Sequence, residues 1–328
     1  MDTSKLLEIL RITLPVFAML ALGNVLSRAK KMNEVHQTFL NWLVYYISLP
    51  ALIFVGMAAQ PIRSLMRADF IWTTLGSMLL IMAIFIVIAL AMRLEKKTAV
   101  IMVFFTYWSN CAYMGFPLSQ SAFGETGFLM AAILNSVTMP VLVSMTFVMI
   151  SFCSDKRQSV LKSIRDALLN PIILASVGGI LYALCADLLG FGEGGGRRLP
   201  AVAGELLGVC ETALKTVGNM GISLALIAVG GKLRFRFFGR NVLPLALSAA
   251  GKLVLLPLMA LLIMRYFFPQ ADPAVRGSAV LLMVMPAAVT GAVISAKFGL
   301  NEEFVTAALA ASMLGSVLAI PVWLYFLL

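Results

Sequence analysis

Two short stretches of this chain set polar side chains beside helix-breaking residues inside otherwise apolar sequence. The first is Ser109-Asn110-Cys111-Ala112-Tyr113-Met114-Gly115-Phe116-Pro117, and the second is Met285-Pro286-Ala287-Ala288-Val289-Thr290-Gly291. Proline removes a backbone donor and clashes with the preceding turn, and a nearby glycine loosens the chain further. Each stretch is expected to interrupt a helix. New half-helix N-termini would then start near Phe116–Leu118 and near Pro286–Thr290, each partially positive and carrying free N–H groups. Neither stretch contains Asp or Glu, which disfavours a cation exchanger built on paired buried carboxylates. Asn110 can donate and accept, so it suits a carboxylate or a neutral polar group. The candidate binding residues are Asn110, Cys111, Tyr113, Gly115, Pro117, Met285, Pro286 and Thr290, with Ser48 and Asn219 as further polar candidates. The competing reading is two ordinary proline kinks.

Three charges remain inside apolar sequence. Lys252 stands alone, where a central lysine costs about 2.5–3.5 kcal/mol on insertion scales. It could hold an anionic substrate, titrate as a coupling group, or donate structurally to the carbonyls of a broken helix. Glu211 and Lys215 are spaced i,i+4 and could pair with each other, as a solvated or structural pair. The rest of the reactive inventory is thin. With His36 as the single histidine and Cys111, Cys153, Cys185 and Cys210 far apart, no usual zinc constellation can form. A nucleophilic triad would need His36 itself. Phosphate-cradling loops are absent too. The chain reads as a non-enzyme with no metal and no cofactor.

The elements that must position these residues follow from composition. Of the 328 residues, 61% are hydrophobic and only 12% charged, against about 25% charged in an ordinary soluble domain. So few charges cannot cover so much apolar surface in water. A soluble enzyme, a disordered regulator and a disulfide scaffold are thereby excluded. A spanning helix needs roughly 20 mostly apolar residues. Ten runs qualify, at 6–27, 36–58, 69–92, 98–123, 126–151, 167–188, 205–231, 241–266, 275–297 and 302–328. They are continuous rather than alternating, so a membrane barrel is not expected. The first lacks a basic start and a small-residue cleavage site and reads as a retained helix.

The net charge of +10 would suggest nucleic acid in a soluble chain. Here the basic residues fall in short connectors, so they read as topology signals and no nucleic-acid partner is expected. One set of connectors carries 15 Lys and Arg, the opposite set eight. The positive-inside rule then puts both termini outside and the richer loops in the cytoplasm.

The two halves echo each other weakly. Ile47-Ser48-Leu49-Pro50-Ala51-Leu52-Ile53 is similar to Ile222-Ser223-Leu224-Ala225-Leu226-Ile227, and Phe123-Gly124 to Phe298-Gly299. Both matches are offset by about 175 residues, the offset that carries Asn110 onto Met285. Five runs per half is an odd number, so the second half would enter the membrane from the opposite side. Interruptions at matched places in inverted repeats are the best sequence pointer to a transporter's binding site.

These segments resemble the auxin efflux carrier family, the PIN-formed-like and bacterial permease branch of the bile acid–arsenite–riboflavin transporter superfamily. The resemblance is carried by Leu14-Pro15 through Gly23, Ile47 through Leu52, Asn110 through Leu118, Asn170-Pro171, Lys252 through Pro257, Met285-Pro286-Ala287, and Ser312 to Pro321. It implies ten transmembrane helices in two inverted five-helix repeats, with runs 4 and 9 broken and crossed. It implies a scaffold of runs 1, 2, 6 and 7, a moving domain of runs 3–5 and 8–10, and a homodimer through runs 2 and 7. It also implies export or uptake of organic anions. The connector between runs 5 and 6 is short, and run 3 lacks the ionisable pair of plant members, so a bacterial metabolite is expected rather than auxin.

The expectation is therefore an all-α integral membrane protein of the inner membrane. It would have a first repeat at 1–151, a connector at 152–166 and a second repeat at 167–328. Its expected function is secondary transport of a small organic anion by alternating access, with H+ or Na+ as the coupling ion. The alternatives are a sodium-coupled symporter of such anions and a membrane receptor that binds the ligand without moving it.

Overall fold

The computed structural model describes residues 3–59, 67–151, 165, 169, 171–189, 201–232, 242–288, 291, 295 and 299–328. Most of the 152–166 connector and Thr290 lie outside the described residues. Among the described residues every regular element is helical. Seven helices are long and apolar enough to cross a membrane, from Ser4–Arg28 to Glu302–Leu327. The chain is a multi-pass membrane protein.

The helices are α1 (Thr3–Arg28), α2 (Glu34–Leu43), α3 (Leu49–Ala58), α4 (Ala68–Ala91), α5 (Lys96–Tyr107), α6 (Phe116–Ile133) and α7 (Met139–Ser151). They continue as α8 (Pro171–Leu188), α9 (Ala201–Lys232), α10 (Val242–Ala250), α11 (Leu256–Phe267), α12 (Pro273–Val284) and α13 (Glu302–Leu327). Apolar side chains on all sides suit helices whose surroundings are lipid or other helices. Their hydroxyls are satisfied locally. Thr73, Ser77, Thr106 and Ser176 each bond the carbonyl four residues back, which hides a polar group that lipid could not solvate. Side-chain caps close helix starts at Asn33, Asp272 and Asn301.

Four short π turns interrupt this pattern: π1 (Val44–Ser48), π2 (Cys111–Gly115), π3 (Leu134–Thr138) and π4 (Gly251–Leu255). A proline follows each at the second residue, at Pro50, Pro117, Pro140 and Pro257. The physical cause is common to all four. A proline within a helix cannot donate to the carbonyl four residues back, and its ring collides with it. Widening the preceding turn by one residue relieves that collision. The bonds Leu49 N–H to Val44, Phe116 N–H to Cys111 and Leu256 N–H to Gly251 span five residues rather than four. Such bulges gather at functional sites, and here they hold Ser48, Cys111, Tyr113 and Lys252.

Contacts divide the chain into two compact units. One comprises Met1–Ala18, Asp69–Ala167 and Leu233–Leu328, the other Met19–Ala68 and Leu168–Lys232. The division runs across the two sequence halves, drawing each unit from both.

The second unit contains the end of α1 with α2, α3, α8 and α9. Glycines let its backbones meet. A Cβ on Gly23 would stand 2.0 Å from the Ile227 carbonyl, and one on Gly230 2.0 Å from that of Leu20. Gly179 admits α3 in the same way. Without a hydrophobic drive between helices in lipid, this close approach supplies the packing. Gln37 donates to the Gly231 carbonyl at 3.0 Å.

The first unit contains α4–α7 and α10–α13 around a core that includes Phe70, Met78, Ile81, Phe105, Tyr107 and Phe116. The α6 stretch is two helices meeting at a corner, where Phe123 (φ −130°) and Gly124 (φ 59°) leave helical geometry. Gly299, 175 residues later, has φ 62°. These are the two positive-φ glycines among the described residues, and both follow a phenylalanine. The packed interior contrasts with bare outer faces, where Leu90, Leu318 and Phe326 are each more than 70% exposed, as lipid contact allows.

Candidate functional site: two crossed helix breaks

The site lies wholly in the first unit and is built from backbone first. Helix α5 ends at Tyr107, and Trp108 (ψ 105°) turns the chain extended. Helix α12 ends at Val284, and Met285 (ψ 141°) does the same. The two extended pieces cross and pair antiparallel through Ser109 and Ala287. Asn110 N–H donates to the Pro286 carbonyl at 2.8 Å, and Ala288 N–H to the Trp108 carbonyl at 3.2 Å. Non-helical backbone at membrane depth is tolerated only when its polar groups are met by protein or by a wet cavity. Each break meets part of that need with the other. Ser312 of α13 supplies a third partner by accepting from Ala287 N–H at 3.2 Å.

After the first break the chain turns helical at once. The Asn110 carbonyl accepts from Met114 at 3.1 Å and from Gly115 at 3.2 Å. The half-helix therefore starts at Cys111, not near Phe116–Leu118 as the proline suggested. Pro117 lies in the first turn of α6, where its missing N–H is absorbed by π2, and Gly115 is helical. What breaks the helix is the extended Trp108–Asn110 segment, held open by its partner strand. Gly115 has a different task. A Cβ there would sit 2.8 Å from Leu282, so glycine lets π2 lie against α12. Cys111 Sγ is 3.8 Å from the Leu282 carbonyl in the same contact.

The polar side chains of the crossing are closed off from solvent. Ser109, Asn110, Cys111, Met285 and Lys252 are each no more than 2% exposed. Asn110 Nδ2 has no hydrogen-bond partner among the described residues. A buried unmet donor costs about 1–3 kcal/mol, so an amide in this state is poised for an acceptor. Lys252, in π4, donates to Ser109 Oγ. That places an ammonium beside the first break. Among the described residues no carboxylate pairs with it. The Cys111 thiol stands within electrostatic reach of the same nitrogen. Tyr107, the last residue of α5 before the break, bonds Thr146 at 2.6 Å and acts as a strut.

The sequence candidates thus divide. Asn110, Cys111, Tyr113, Gly115, Pro117, Met285, Pro286 and Lys252 gather in the first unit around the crossing. Ser48, Asn219, Glu211 and Lys215 belong to the second unit. There Ser48 is buried with Oγ unmet, and Asn219 is exposed. Glu211 and Lys215 form an exposed pair at 2.6 Å, worth little to stability. Sequence reasoning missed Ser109 as the lysine's partner and Ser312 as the support of the second break. Ser109 stood next to Asn110 and could have been found as the nearest small hydroxyl. Ser312 is one of two serines in α13, and nothing in its local sequence marked it as the support of the second break.

A break-and-cross arrangement inside a bundle of membrane helices is a transporter's architecture, and the sequence comparisons agree. A family model described as membrane transport protein matches residues 9–324. The chain belongs to this family. Its auxin efflux carrier-like character is the resemblance that the Asn110–Leu118 segment carried. Among curated members, a Rhizobium meliloti (strain 1021) protein provisionally named as a malonate transporter is 26% identical over 325 residues, covering 98% of this chain and 96% of its own. The uncharacterized transporter YfdV of Escherichia coli (strain K12) is 24% identical, with 95% of each chain covered. An uncharacterized transporter of Methanothermobacter thermautotrophicus is 23% identical over 325 residues. Membership makes the chain a membrane transporter and fits a non-enzymatic role.

Proposed function

We propose that this transporter is a secondary carrier of a small organic anion, a carboxylate, and works by alternating access. One observation carries the reading: a buried crossing of two helix breaks where, among the described residues, the Asn110 amide lacks an acceptor and the Lys252 ammonium lacks a counter-charge. A carboxylate answers both. It accepts from the amide and pairs with the ammonium. Malonate, the anion in a relative's name, has the right chemistry and is the natural first probe.

The larger architecture follows the same reading. The ten runs form two inverted five-helix repeats. Support comes from the matched phenylalanine–glycine corners at Gly124 and Gly299 and from the pairing of the two breaks. The unit holding the crossing is the moving domain, and the glycine-packed unit is the scaffold, which joins a second copy in a homodimer. The protein sits in the inner membrane with both termini outside. A thermal-shift screen of purified protein against mono-, di- and tricarboxylates tests the substrate class. A ligand at 100 times its Kd should add about 2.7 kcal/mol of stability. A protein stabilised by neutral or cationic metabolites and by no carboxylate would overturn the reading.

A further inference from the structure

We infer that each carboxylate is carried together with one proton, held as the ammonium of Lys252, and that Na+ takes no part. The inference rests on the proposed reading of the crossing as a carboxylate site.

The argument begins with what surrounds the nitrogen. Lys252 is fully buried and its one hydrogen-bond partner among the described residues is the Ser109 hydroxyl. The elements packed against π4 are α5, α10, α11, α12 and α13, and Phe85 of α4 fills the space beside Gly251. Their charged side chains all lie in end turns: Asp69, Lys96, Lys97, Arg265, Arg276, Glu302 and Glu303. Tyr266 and Tyr325 are in end turns as well, and Tyr107 is engaged by Thr146. The titratable group that faces the ammonium is the Cys111 thiol. Among the described residues no fixed anion balances Lys252 in the empty site.

A buried charge is tolerable when paired and very costly when alone. The empty and loaded sites therefore favour different protonation states. With substrate bound, the ammonium and one carboxylate group of the anion form a charge-balanced buried pair. With the site empty, the neutral amine accepts from or donates to Ser109 without a net charge. A carrier that crosses loaded as the ion pair and returns empty as the amine moves one proton with each carboxylate. The proton enters from the side where substrate binds and leaves where substrate leaves, so protons balance; a monocarboxylate crosses with no net charge and the malonate dianion with one negative charge. The ammonium also sets a positive charge beside the break, which disfavours a metal cation there.

Reconstituted protein and labelled malonate test this. Malonate–malonate counterflow without any gradient reports the carboxylate site alone. If no carboxylate exchanges, the site reading falls and this inference with it. If exchange occurs, an inside-alkaline pH gradient should drive malonate accumulation. Trapped pyranine should report one proton per malonate in excess of that on the free ion. An imposed Na+ gradient should do nothing. Accumulation that follows Na+ or ignores the pH gradient overturns the inference alone. Entry of malonate already singly protonated would mimic the first result but would persist in Lys252→Arg, whose guanidinium keeps its proton. We expect whatever exchange Lys252→Arg retains to ignore the pH gradient; retained pH driving overturns the inference. Where Lys252→Arg exchanges too slowly, Ser109→Ala decides. It removes the ammonium's partner and should move the half-maximal pH of uptake to more acid values, and an unmoved profile overturns the inference.

Discussion

Lys252 and Ser109 lie 143 residues apart and meet inside the protein, the lysine in a π turn and the serine in the extended backbone of a helix break. The contact ties the widened turn of one helix to the open break of another. It puts the buried cation next to Asn110, whose amide nitrogen has no partner among the described residues. A polar site in a membrane protein that leaves both groups unanswered is built for a ligand that answers them.

Asn110→Ala should weaken carboxylate binding by about 1–3 kcal/mol, because the bound anion loses a partner it cannot replace. The unliganded protein should be as stable as before or slightly more so, since the substitution removes an unmet buried donor. Calorimetric titration and thermal unfolding together check this. A loss of apo stability with unchanged affinity would make Asn110 structural.

Lys252→Met should leave a folded protein and abolish transport. Methionine fills similar volume without a charge, and replacing buried ionic groups by apolar ones is often neutral or stabilising. Thermal unfolding should show an unchanged or higher midpoint, and uptake assays no accumulation. A large drop in stability would mean that the lysine holds the break closed.

Pro257→Ala should raise the unfolding temperature and lower transport. A helical proline costs about 3 kcal/mol, and removing it frees π4 to tighten to an α turn, which would swing Lys252 away from Ser109. Unchanged transport would mean that the widened turn serves packing alone.

Gly230→Ala should destabilise by about 1–3 kcal/mol through overpacking, because its Cβ would stand 2.0 Å from the Leu20 carbonyl. Gly204→Ala meets nothing within 4 Å and should stabilise by up to about 1 kcal/mol through helix propensity. Equal effects at the two sites would contradict the close packing of the second unit.

Both termini outside predicts an active periplasmic reporter and a silent cytoplasmic one at the C-terminus. The reverse pattern would invert the assignment of every loop.

Much of the helical layout was readable because lipid forces long uncharged runs, and the structure's helices fall along them. The crossing was readable in part. Asn110, Lys252 and the Met285-Pro286 step were visible as polar or helix-breaking residues in apolar sequence. The position of the first break was not. Pro117 drew attention eight residues past the true discontinuity at Trp108–Ser109, because a proline marks strain, whereas the widened turn that absorbs it depends on tertiary space. The pairing of Ser109 with Ala287 and the support from Ser312 are long-range backbone choices that no local pattern records. The separation of Ser48 from Asn110 into different units left no mark in the local pattern, since both sit in similar proline-bearing polar segments; only the family resemblance, which set run 2 apart from run 4, implied it.

The central claim is that the buried crossing carries carboxylates. Counterflow of labelled malonate in proteoliposomes loaded with unlabelled malonate, comparing wild type with Asn110→Ala, measures it most directly. The account predicts exchange by the wild type, competition by other small carboxylates but not by neutral analogues, and a rise of about five-fold or more in the half-saturating concentration in Asn110→Ala, as a loss of 1 kcal/mol or more requires. Exchange that is indifferent to Asn110, or competed equally by neutral analogues, would contradict it.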